Sequence, residues 1–456
     1  MTRTAGRAFM QDFATKNPID LAPVLDEGRW SGYLKFTVLL AALAVVFDGA
    51  DLQLLALAIP SMMNEWSLSR TAFAPLVAIG MVGMMIGGAA AGAAGDRFGR
   101  KWALVLSIVI FALSTLAMSW VHGLAALEVL RFIAGIGLGG AIPNAAALAA
   151  EYVPRKHRPF AVTLAIVCVP LGGMLAAFAA GQVLPTQGWR ALFMLSGIAP
   201  LVFVGVLLWL MPESPRFLIQ RPARWPQLAA MLRRMGREVP ADAAFCDSRE
   251  QAKLKSPLAA LFASDIRRDT IALWLAFVSC LLAVYLCFNW LPSLLAGAGL
   301  NGSNGLLAFN LGGVGGAVTG ALLIARFGSK PVMLALAGLA VTATAAFAGF
   351  PIAKTAPPLP IWTMLILSGA MINGLQVTLY ALAAHVYPVV MRATGVGSAA
   401  SFGRIGGVLS SYIGAWAIQT GGSSRFFIFI AVTLAASGLA IAAIRRHVAP
   451  TVNHPA

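Results

Sequence analysis

Twelve times this chain runs for roughly twenty residues with almost no charge, the length a helix needs to cross about 30 Å of hydrocarbon. The runs begin near Tyr33, Ala72, Trp102, Leu124, Phe160, Ala191, Ile271, Gly305, Pro331, Ile361, Gly395 and Phe426. With 59% hydrophobic and 11% charged residues over 456 positions, and a mean hydropathy of +0.81, the chain lies outside the range of soluble globular proteins. The expected fold class is an all-α membrane protein with twelve transmembrane helices. The longest polar interruption, from about Pro212 to Asp269, divides the runs six and six. The expected boundaries are a leader at 1–32, a first six-helix bundle at 33–211, a central loop at 212–269, a second bundle at 270–444 and a tail at 445–456.

Charge sets the expected orientation. Arg70, Arg190, Lys354 and Arg425 lie on one side, whereas the leader, DRFGRK, RKHR, the central loop, RFGSK, Arg392 and Arg445-Arg446 lie on the other. The side richer in lysine and arginine stays inside. Both termini and the central loop are therefore expected in the cytoplasm, and the protein in the inner membrane of a bacterium. The net charge of +16 reflects this bias and contact with anionic lipid head groups. Basic residues scattered over short loops argue against a nucleic-acid partner. The leader lacks the short apolar core and cleavage site of a signal peptide and is expected to remain on the protein. Cys168, Cys280 and Cys287 fall in apolar runs and Cys246 in a basic loop, without metal-ligand spacing, so all four read as packing residues. No metal and no cofactor are expected. Gly135, Gly137 and Gly140 match GxGxxG, but inside a span they read as close helix packing rather than a dinucleotide site. An enzyme is not expected, since no nucleophile and base pair or HExxH appears.

The two halves repeat each other. GAAGDRFGRK (92–101) recurs as ALLIARFGSK (321–330), and AAEYVPRKHR (149–158) as AAHVYPVVMR (383–392). Internal repeats of this kind mark transporter halves that rock about a central site. The second copies lose charge: Asp96 becomes Ala325, Arg100 becomes Ser329 and Glu151 becomes His385.

Every Asp and Glu lies at or before Asp269, so a carboxylate that carries protons belongs to the first half. Asp48 and Asp51 stand in an otherwise uncharged run from Phe36 to Pro60, three residues apart and on one helix face. At 1.5 Å per residue they lie roughly 18 and 22 Å deep. Two acids this close in low dielectric do not both ionise readily, and that is what a proton carrier requires. Arg131 in span four, also a candidate for binding the substrate, lies about 10 Å below the outer surface, a depth that suits Asp51. Arg404, mid-way along span eleven, has no acid in its own half, so its anion has to come from across the interface or from solution. A substrate carboxylate held in a bidentate fork fits that position. Tyr285 and Asn289 in span seven, and Asn373, Gln376 and Tyr380 in span ten, each make one polar face that could hydrogen-bond a ring hydroxyl, with Phe288 and Trp290 as apolar neighbours. The structural alternatives are an ion pair that only fixes helix packing, and polar side chains that only join helices. His385 ends span ten, where a histidine can simply serve a helix C-terminus.

GDRFGRK between spans two and three, RFIAGIGLGGAIPN in span four and PESPRFL after span six resemble the major facilitator superfamily, over nearly the whole chain. More narrowly, DGADLQ in span one, NWLPSLL ending span seven, and YPVVMRATGVG followed by FGRIGG resemble its aromatic acid/proton symporters, such as hydroxybenzoate and 3-hydroxyphenylpropionate transporters. The resemblance implies two pseudo-symmetric six-helix bundles and gives weight to Asp48, Asp51, Asp96, Arg131, Glu151, Arg392 and Arg404. It places Glu151 with the proton-coupling acids. It also makes Gly92, Asp96, Arg97, Gly99, Arg100, Lys101 and Arg392 a conformational latch, where a solvated charge run is the alternative. A departure is the lack of histidine in the region of spans seven and eight. The expected function is proton-coupled uptake of a small aromatic carboxylate by a monomer, with protons and membrane lipids as further partners. A proton-exchanging exporter of drugs or organic anions, and a transport-inactive chemoreceptor, are the alternatives.

Overall fold

In lipid a backbone has to satisfy its own hydrogen bonds, so apolar runs of this length close into helices. The computed structural model describes residues 18–27, 30–154, 158–237, 239–240, 243–247, 257–353, 355, 357–388 and 391–450. Residues 1–17, 155–157 and 451–456, which the charge count includes, and Lys354 lie outside the described residues.

Ten helical runs of described residues are long and apolar enough to cross a membrane. The two longest, Arg158–Leu210 and Arg392–Ala443, are each two helices joined at a glycine, Gly188 (φ 74°) and Gly422 (φ 60°). Side chains with a Cβ adopt that left-handed geometry only at a cost. Twelve helices result. They are α1 (Gly32–Trp66), α2 (Ala74–Phe98), α3 (Arg100–Met118), α4 (Leu124–Tyr152), α5 (158–187) and α6 (189–210) in the first half. The second half holds α7 (Arg267–Gly297), α8 (Gly302–Phe327), α9 (Ser329–Gly349), α10 (Pro358–Val386), α11 (392–421) and α12 (423–443).

The repeat seen in sequence is a repeat in packing. A Cβ at Gly87 of α2 would overlap the carbonyl of Ile136 on α4, and one at Gly316 of α8 the carbonyl of Ala370 on α10. Gly49 of α1 lies against Val169 of α5 as Gly406 of α11 lies against Val278 of α7. Small residues let these backbones approach, which is how helices associate where lipid removes the hydrophobic drive. Gly135 and Gly137 belong to the same packing, against Gly80 of α2 and Ser107 of α3. Outward-facing Leu106, Phe178, Val202 and Leu439 are all more than half exposed and suit contact with lipid tails.

Across the halves α2 meets α11, α5 meets α8 and α1 meets α7. The described ends of the chain share one side. There β1 (Ile19–Asp20) pairs in parallel with β2 (Phe245–Cys246) of the central loop. On the same side Ser329, at the start of α9, exchanges hydrogen bonds with Val448 of the tail, N to O at 3.0 Å and Oγ from N at 2.9 Å.

Candidate functional site

Asp48 and Asp51 sit one turn apart on α1, 0% and 2% exposed. Asp51 is fully engaged. Thr115 Oγ1 of α3 donates to it at 2.6 Å and Arg131 Nη1 of α4 at 3.2 Å, while Arg131 Nη2 reaches the carbonyl of Leu52 at 3.4 Å. The arginine is itself 4% exposed, and its stem runs over Gly80 of α2, where a Cβ would stand 3.0 Å from Cγ and Nε. Asp48 differs in kind: neither carboxyl oxygen has a hydrogen-bond partner among the described residues. The charges acting on it are Asp51, Arg404 and Arg131.

Arg404 comes from α11 in the other half and is half-buried. Its Nη1 donates to the main-chain oxygen of Met84 on α2 at 2.9 Å. No described carboxylate lies within ion-pair distance of it. Tyr285 of α7 lies within electrostatic reach of both Arg404 and Asp48, and Tyr380 of α10 within reach of Arg404 and Tyr285. Aromatic rings back these hydroxyls: Phe277 stands edge-on to Tyr380 at 5.0 Å, and Phe288 edge-on to Tyr285 at 6.4 Å. The seam between the halves thus gathers one unpaired acid, one cation free of any described carboxylate, two tyrosines and an apolar wall. Such a group can take up a proton and an organic anion side by side.

Other candidates lie elsewhere. Asn289 donates to Ser410 Oγ at 3.2 Å and Trp290 Nε1 to the Ser410 carbonyl at 3.1 Å, so both tie α7 to α11. Trp290 is 0% exposed and packs on Gly414 rather than lining an open space. Asn373 donates to the Gly369 carbonyl at 3.0 Å and fills the room left by Gly313 of α8. Gln376 is half-buried one turn before Tyr380. His385 is exposed.

Glu151 is not with the α1 acids. It accepts from Ser214 Oγ at the termini side, where the segment after α6 clasps the start of α3. In that clasp Glu213 accepts from the backbone N–H groups of Lys101 at 3.0 Å and Ser214 at 2.9 Å, covering Gly99 (φ 110°). A carboxylate placed there complements a helix N-terminus. Burial pushes the Glu213 carboxyl above the usual range, against the pull of those two N–H groups. Tyr152 Oη donates to the Glu213 carbonyl at 2.6 Å, Lys101 Nζ to Leu208 O at 2.8 Å, Arg221 to the Arg97 carbonyl, and Asp96 pairs with Arg100. Gly92 is half-buried with open space beside it. Arg392 stands apart and exposed at the start of α11, its Nε 3.5 Å from the Tyr387 carbonyl.

At the side away from the termini the halves are joined by residues to which the sequence reading gave no joining role. Gln53 and Asn310 exchange amide hydrogen bonds at 3.3 and 2.7 Å, both 0% exposed. Arg70 Nε donates to Ser293 Oγ at 2.8 Å and its Nη2 to the Ser293 carbonyl at 3.0 Å. The available signal was an amide inside DGADLQ and another inside the apolar run of span eight. A cavity of about 160 Å³ lies on this side among Pro60, Pro185 and Pro292. Its lining includes none of the charged residues of the seam.

Residues 41–411 match the family described as the Major Facilitator Superfamily. The chain belongs to the major facilitator superfamily. It is 34% identical over 453 residues to a gallate transporter of Pseudomonas putida, covering 96% of this chain and 98% of that one. It is 32% identical to the 4-hydroxybenzoate transporter PcaK of Pseudomonas aeruginosa, covering 88% and 90%. Among solved structures it resembles the inward open conformation of the xylose transporter XylE from E. coli, with a TM-score of 0.70, 18% identity and coverage of 91% and 97%. At that identity the likeness speaks for the fold alone.

Proposed function

We propose that this facilitator imports a small aromatic carboxylate with protons, its bundles at 33–211 and 270–444 rocking about the seam in a bacterial inner membrane. The observation that carries the reading is Arg404, a half-buried guanidinium within reach of Asp48 and without a described carboxylate at ion-pair distance. The names of the relatives, transporters of gallate and of 4-hydroxybenzoate, agree with an aromatic acid as the anion that Arg404 binds. In this reading Arg404 forks the carboxylate, Tyr285 and Tyr380 face the ring substituents, and Asp48 carries the proton. Asp51 neutralises Arg131. The termini side is cytoplasmic, as the lysine and arginine bias supports, and the joined side faces out. The inward pull on a charge is about 2.3 kcal/mol per 100 mV. One proton therefore cancels the charge of the substrate and lets a pH gradient drive accumulation, and a second adds the pull of the membrane potential.

Uptake of radiolabelled gallate, 4-hydroxybenzoate and benzoate into right-side-out vesicles tests this. The expected result is accumulation of at least one acid that follows an inward proton gradient and collapses with a protonophore. Indifference of all three acids to the gradient, or extrusion driven by it, rejects the reading.

A further inference from the structure

We infer that Gly88 of α2 is a positioning residue for the substrate carboxylate, because it sets the plane in which Arg404 offers its guanidinium. The inference rests on the anchor role proposed above for Arg404. The arginine side chain crosses the seam from α11 and lays Nη1 on the Met84 carbonyl at 2.9 Å. Gly88 stands one helical turn further along α2. A Cβ built on it meets Arg404 Nη1 at 2.7 Å and the carbonyl oxygen of Gly139 on α4 at 3.3 Å. The first distance is closer than carbon and nitrogen pack. The second leaves α2 little room to withdraw, since Gly139 is itself pressed against the Met84 carbonyl. Between a main chain on one side and a side chain on the other, the guanidinium is the part that moves.

The clash is specific to one branch of the fork. Arg404 Cζ lies 3.8 Å from the same point, an ordinary contact, so a side chain ending near Cζ, such as lysine, does not meet the new methyl. A guanidinium has five N–H groups in one rigid plane, and two-point recognition of a carboxylate depends on the direction of that plane. With Nη1 tied to a main-chain oxygen, the Nε and Nη2 edge is presented in one direction. The tie is to a neutral carbonyl, so the positive charge remains for the ligand. The same helix seats the other intramembrane arginine in the same way, with Gly80 beneath the stem of Arg131. There the guanidinium is directed at Asp51.

The test uses the full chain in detergent, with gallate, 4-hydroxybenzoate and benzoate as titrants against wild type, Gly88→Ala, Arg404→Lys and the double variant. Gly88→Ala is expected to weaken binding of the accepted acid by about tenfold or more, as is Arg404→Lys. The double variant is expected to bind as Arg404→Lys alone does and to melt at the same temperature. Its agreement with the single variant shows that the methyl leaves the fold intact. Wild-type affinity in Gly88→Ala overturns the inference, and so do losses that add in the double variant, which mark a packing role. Wild-type affinity in Arg404→Lys overturns the anchor reading instead, whatever Gly88 does.

Discussion

At the scale of single residues, the two acids of α1 part company. Asp51 is held by Thr115 and Arg131, whereas Asp48 has no hydrogen-bond partner on either oxygen among the described residues. Asp51→Asn leaves a buried guanidinium without its counter-charge, and breaking such a pair costs about 3–5 kcal/mol. The melting temperature is expected to fall, and substrate exchange and gradient-driven accumulation to fall together. Asp48→Asn replaces a carboxyl that no described group hydrogen-bonds with a neutral group of the same shape, so melting and exchange are expected to stay near wild type while accumulation is lost. Vesicle assays of both activities, with melting curves, decide it; accumulation at the wild-type level in Asp48→Asn removes that acid from the mechanism. The pairing of Asp51 with Arg131 was legible because a charge in lipid needs a partner at its own depth. The seat of Arg404 was not legible. Every residue carries a carbonyl, so nothing in the letters singles out Met84.

At the scale of elements, the positions of the helices were legible and their joints were not. The expected starts near Ala191 and Phe426 fall just past the breaks at Gly188 and Gly422, since apolar length places a span but a single backbone angle places its end. Glu151 shows a similar limit. A carboxylate at a helix end reads alike whether it faces a pathway or a neighbouring loop, and here it faces Ser214. The neighbouring Glu213 adds a pH dependence to the clasp on α3. Its folded carboxyl titrates above the unfolded one, so in that interval the native state binds the extra proton. Stability from this group is therefore full below the unfolded value and is lost as pH rises through the folded one. Glu213→Gln keeps an acceptor oxygen for the Lys101 N–H and removes the titration. The melting temperature of the variant is expected to gain on wild type as pH rises through this window; a difference that stays constant with pH contradicts the account.

At the scale of the whole molecule, the repeat predicted two related halves, and Gly99 and Gly328 occupy matching loops with φ of 110° and 81°. The contacts between halves lay outside that reasoning, because a chain that alternates between two arrangements encodes both seams in one sequence. On the side away from the termini, the seam seen here is joined by Gln53 with Asn310 and Arg70 with Ser293. Replacing Gln53 and Asn310 together by Leu removes both amides and so leaves no buried polar group stranded. Adding Arg70→Gln weakens the second contact. A cysteine introduced at Ser61, beside the cavity on that side, is then expected to react faster with an impermeant maleimide; the native Cys168, Cys280 and Cys287 are buried, and Cys246 belongs to the central loop. An unchanged labelling rate assigns the seam to other contacts. The chemistry of these joints also bears on where such a protein can live. An amide pair, and an arginine on a hydroxyl and a carbonyl, contain nothing that titrates near neutrality, whereas the clasp on the termini side is built with carboxylates. The external acidity of a habitat swings widely and the cytoplasm is buffered, so in the orientation proposed above the lock facing the weather is the one indifferent to it.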